Sequence, residues 1–80
     1  MKKSRKKPYP RDSDIRDAIL RTLYLYPLVK PYDFAEKVIE VLEEEGYYTG
    51  LVNVKRVWRV YEKMVRRGEM YDYLDVVKDK

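Results

Sequence analysis

The sequence predicts a mainly α domain of three helices with a small β element, preceded by a basic arm. Three observations predict it. Three segments between residues 13 and 67 repeat apolar side chains at helical spacing. Tyr71, Tyr73, Val76 and Val77 then favour a strand. Residues 1–11 hold six bases, no acid and two prolines. Such a segment cannot pack, so residues 1–12 are expected to form a flexible arm and 13–80 the domain.

Helix one is expected from Ser13, with Asp12 or Ser13 as cap and Asp14 and Asp17 near the positive end of the dipole. Ile15, Ala18, Ile19, Thr22, Leu23 and Tyr26 follow its apolar spacing, and Pro27 ends it. Leu28, Val29 and Lys30 suit a brief strand. Asp33 is expected to open helix two, with Glu36 completing a capping box. Phe34, Val38, Val41 and Leu42 form its buried stripe, Ala35 and Ile39 lie beside it, and Gly46 closes it. Helix three is expected to start after Asn53, with Thr49 as an alternative start, and to stop at Gly68. Val54, Val57, Trp58, Tyr61, Met64 and Val65 share one face, and Lys55, Arg56, Arg59, Lys63, Arg66 and Arg67 lie mostly on the other. Residues 69–77 read as a strand, with a short helix as the competing reading.

The net charge of +4 is unevenly placed. Residues 1–11 carry +6, residues 33–46 carry −5 and residues 51–68 carry +5. A basic arm and a basic helix bracketing an acidic one point to phosphate recognition, because phosphate contacts supply most non-specific affinity. The candidate contacts are Lys55, Arg56, Arg59, Lys63 and Arg66 on the helix and Lys2, Lys3, Arg5, Lys6, Lys7 and Arg11 on the arm. Arginine suits this work because its fork grips guanine or phosphate with two bonds. Glu43, Glu44 and Glu45 are placed to neutralise part of the basic face. Tyr9, Tyr47 and Tyr48 are split between base stacking and edge packing. Tyr24, Tyr26 and Tyr61 are expected at the core edge with wet hydroxyls, and Trp58 in the core, with a dimer contact as the other reading.

Composition excludes several classes. The chain has no Cys and no His, so metal ligation, thiolate chemistry and the usual neutral-pH proton shuttle are not expected. There is no Gly-rich phosphate loop, so no cofactor and no enzymatic activity are expected. No apolar run approaches membrane-spanning length and no apolar stretch follows the arm, so no membrane and a cytoplasmic location are expected. Charged residues make up 40 %, Gln is absent and Asn53 is the only Asn, a hyperthermophile-like composition.

The order helix, short strand, helix, turn, basic helix, Gly, Tyr-rich strand resembles the winged helix-turn-helix superfamily in its small archaeal or archaeal-virus form. The resemblance covers residues 13–77. It rests on Val57, Tyr61, Met64 and Gly68 followed by Met70, Tyr71, Asp72, Tyr73 and Leu74. It implies that helix three is a recognition helix and that the chain is a DNA-binding transcription regulator or DNA organiser, with a homodimer expected for specific operators. Twelve residues follow Gly68, with no Gly, Pro or Asn for a hairpin turn. The wing is therefore expected to be short or missing. The alternatives are an RNA-binding ribosomal or ribosome-associated protein, and a winged-helix adaptor that binds protein.

Overall fold

The computed structural model describes residues 7–77 and contains three helices: α1 (Asp12–Leu25), α2 (Pro31–Glu44) and α3 (Val54–Arg66). Each helix packs against both others. The core is the sum of three apolar stripes. Ile15, Ala18 and Ile19 come from α1, Phe34, Val38, Val41 and Leu42 from α2, and Val57, Val60, Tyr61 and Met64 from α3. At its centre Phe34 meets Trp58 at 5.3 Å and Tyr61 at 5.5 Å between ring centroids, the latter edge to face. Such aromatic pairs add about 0.5–1.5 kcal/mol each beyond the area they bury. The α3 stripe is rotated from the expected one. Val60 is buried, whereas Val54 is 47 % exposed and Trp58 and Val65 are half-buried.

The helix starts differ from expectation where proline or an acid decides them. Arg11 is the N-cap residue of α1, and Asp14 accepts its backbone N–H at 2.8 Å. Pro31 occupies the first turn of α2, where its missing N–H costs nothing and its fixed φ suits the helix. Asp33 therefore lies inside the helix, and the expected Asp33–Glu36 capping box does not open it. Asn53 caps α3 as expected, its side chain accepting the Arg56 N–H at 2.8 Å.

Two helix ends share one solution. Gly46 (φ 95°) and Gly68 (φ 75°) adopt left-handed backbone after α2 and α3. The next residue then donates back: Tyr47 N–H to the Leu42 carbonyl at 3.0 Å, and Glu69 N–H to that of Met64 at 2.8 Å. This Schellman geometry satisfies carbonyls that the helix end would leave open.

The β element is corrected. Among the described residues no strand forms. Residues 28–30 follow a turn in which Val29 N–H donates to the Tyr26 carbonyl at 3.0 Å. Residues 69–77 fold as an irregular tail strapped to α3. Buried Asp72 accepts the Tyr61 hydroxyl at 2.7 Å and the Val77 and Val76 N–H groups at 2.8 and 3.2 Å. An Asp side chain that captures backbone N–H groups ahead of it makes a turn, and a lone strand has no partner to supply a ladder. Tyr61 is therefore fully buried and its hydroxyl is bonded, not wet. Burial first, then the Asp72 bond, pushes its pKa far above the ordinary 10.0.

Candidate nucleic-acid interface

Helix α3 separates charge from apolar surface more sharply than α1 or α2. With Val57, Val60, Tyr61 and Met64 inward, the 3.6-residue period turns Lys55, Arg59, Glu62 and Arg66 outward, with Lys63 at their edge. Lys55, Arg59 and Lys63 stand four residues apart, so they rise in one row. All three are exposed and have no ion-pair or hydrogen-bond partner among the described residues. Arg66 pairs with Glu62 at 2.7 Å, which neutralises the one acid on this face. From Lys55 to Arg66 the row runs roughly 16 Å at the α-helical rise.

Arg56 is separated from this row. Its guanidinium turns to the N-terminal segment, 3.1 Å from the Pro10 carbonyl and 3.2 Å from Asp12. It holds the arm's root against α3. Two further contacts act with it. The Tyr48 N–H donates to the Pro8 carbonyl at 2.8 Å, and Tyr9 stacks on Tyr48 at 5.1 Å between centroids. A Cβ on Gly50 would overlap the Tyr48 ring, so any other residue there would displace that ring. Lys7 and Arg11 flank this docked stretch and are exposed. Lys2, Lys3, Arg5 and Lys6 lie outside the described residues.

The connector between α2 and α3 is tied to the rest at several points. Buried Val52 anchors it to the core, and Thr49 donates its hydroxyl to Glu43 at 2.7 Å. The Tyr47 hydroxyl donates to Asp14 at 2.9 Å. The Arg11 N–H and then Tyr47 hold the Asp14 carboxyl below its ordinary pKa, and the same bond raises that of Tyr47. These contacts set where α3 begins relative to α1.

The acidic end of α2 does not cover the basic row. Glu45 pairs with Arg21 of α1 at 2.6 Å and Glu43 takes the Thr49 hydroxyl. Lys63 and Arg67 instead border a shallow depression with Asp12, Arg16 and Glu69, in which Arg16 and Glu69 pair at 3.0 Å. Among the described residues no group of three or more metal-ligating side chains is clustered, and no helix is long and apolar enough to cross a membrane. The sequence carried no signal for the Asp14–Tyr47 and Tyr61–Asp72 bonds, since neither pair belongs to a local motif.

Comparison with family models, curated proteins and solved structures returns no match. The functional reading therefore rests on the chain's own geometry.

Proposed function

We propose that this chain binds duplex DNA, laying the outer face of α3 on the groove and its flanking phosphates while the basic arm follows the backbone. The observation that carries the reading is the row Lys55, Arg59 and Lys63: three exposed cations with no partner among the described residues. Arg21 and Arg16 are each set against an acid, whereas this row gathers three cations on one helix face with only Glu62 among them, and Glu62 pairs with Arg66. The dock of Pro8–Pro10 beside the start of α3 supports a shared role for helix and arm, because it holds the end of the basic segment against the same helix. The order α1, α2, connector, basic α3 fits a winged-helix-like reader lacking the wing strand. In that reading Arg59 and Lys63 contact base edges or phosphates, Lys55 and Arg66 contact phosphates, and Arg56 positions the arm. Its biological role would be transcription regulation or DNA organisation.

RNA is the second reading. The Tyr9–Tyr48 stack favours it, because both rings keep exposed surface, 61 % and 43 %, on which an unpaired base can stack. Competition separates the two. Labelled duplex DNA bound to the full chain is challenged with unlabelled duplex DNA or a structured RNA. The proposal expects DNA to displace the label at lower concentration, and expects Arg59→Ala with Lys63→Ala to weaken binding. More effective displacement by RNA, with the helix variant unaffected, would assign the chain to RNA.

A further inference from the structure

The outer face of α1 changes character along its length. Its first half is charged, with Arg16 and Asp17, and its second half presents Leu20 and Tyr24 four residues apart. Leu20, Leu23, Tyr24, Pro27 and Tyr73 line one groove of about 380 Å³. Pro27 joins it to a second, shallower one that holds Leu28 and Val29. Tyr24 is 83 % exposed, Leu28 89 %, Tyr73 65 % and Leu20 47 %. In a chain that is 40 % charged, so much large apolar surface in one place calls for a cover.

We infer that this surface pairs two copies of the chain about a two-fold axis, with Leu28 of each copy entering the Leu20–Tyr24–Tyr73 groove of the other. Three features select a second copy as the occupant. The patch carries both a projecting side chain and an apolar groove beside it, and a two-fold interface needs both on one surface. Its charges are balanced locally. Arg16 and Arg21 at its borders pair with Glu69 and Glu45, Lys37 pairs with Glu40, and Lys30 and Asp33, which line the second groove, carry opposite charges. The named charges of the surface cancel, so two copies of a +4 chain can meet here without joining two net-positive faces. Its size also fits: Leu20, Tyr24, Pro27, Leu28 and Tyr73 expose on the order of 600–700 Å², near the roughly 800 Å² per partner of a standard interface. The arm, at +6, has no complement on this surface.

The consequence is geometric. No residue of the patch belongs to the outer face of α3, so pairing leaves both basic rows open. The inference stands independently of the nucleic-acid reading, because it concerns a different surface.

The test is sedimentation of the full chain without nucleic acid, in roughly 0.5 M salt to screen exposed charges, from about 1 to 200 μM. Wild type is compared with Leu28→Glu and Tyr24→Ser. Both positions are so exposed that the fold does not need them, and circular dichroism checks that it persists. The expected result is a monomer–dimer equilibrium in wild type that each variant weakens at least tenfold. A wild type that stays monomeric throughout, a larger open assembly, or variants that dimerise like wild type would each overturn the inference.

Discussion

Tyr61 and Asp72 show how one side-chain pair decides the shape of a whole segment. Asp72 is an acid among apolar neighbours, and donors surround its carboxylate, among the described residues the Tyr61 hydroxyl, Val76 N–H and Val77 N–H. Removing one donor leaves a buried acceptor short of a partner, which costs about 1–3 kcal/mol. Tyr61→Phe is therefore expected to lower unfolding stability by that amount in urea denaturation while the ring still fills the core. The bond also sets a pH limit. The Tyr61 pKa is raised in the fold, so the stabilisation is complete below the ordinary tyrosine pKa of 10.0 and declines as pH rises above it. The unfolded chain ionises there and the folded one resists. Spectrophotometric titration is expected to leave part of the phenolate absorbance unformed until the chain unfolds. Asp14 sets the opposite limit. Its lowered pKa gives stability present above the ordinary carboxylate value and lost as pH falls through the depressed one. Neither bond was legible in the sequence, because nothing local links Tyr61 to Asp72 or Asp14 to Tyr47. The Asn53 cap was legible, since Asn directly before an apolar-periodic run has a local mechanism.

At the scale of elements, the helices were readable because period and punctuation agree. Gly46, Gly68, Pro27 and Asn53 mark ends at or within a residue of where the chain turns. The strand expected over 69–77 was not there, because β-favouring Tyr and Val were weighed above the turn-forming Asp72 and Asp75, and Asp75 takes a positive φ of 56°. The apolar stripe of α3 was misaligned by including Val54 and missing Val60, since both fit a helical period and only packing against α1 and α2 chooses between them. The helix ends make direct predictions. Asn53→Ala removes the one side-chain cap on α3 and is expected to cost about 1 kcal/mol. Gly68→Ala meets no atom within 4 Å, so its cost is conformational alone, again about 1 kcal/mol. Thermal unfolding of the two variants and their double mutant checks both values. The sites lie at opposite ends of α3, so the effects should add.

Across the whole molecule, charge is sorted by surface. Glu40, Glu43 and Glu45 are engaged locally, the C-terminal half of the outer face of α1 presents Leu20 and Tyr24, and Lys55, Arg59 and Lys63, cations with no partner among the described residues, collect on α3. The block pattern of charge in the sequence foretold the last of these. It could not foretell that Arg56 leaves the row to grip Pro10 and Asp12, because that contact joins residues 46 apart in the chain. The central claim is that the row Lys55, Arg59 and Lys63 meets phosphate or base edges. The measurement that tests it most directly is the salt dependence of duplex binding by the full chain and by the Lys55→Ala, Arg59→Ala, Lys63→Ala variant. Each lost phosphate contact removes about 0.9 from the slope of log affinity against log salt. The account predicts a slope shallower by about 2–3 in the variant, with its thermal stability unchanged. Equal slopes for the two proteins, or binding that salt leaves untouched, would contradict it.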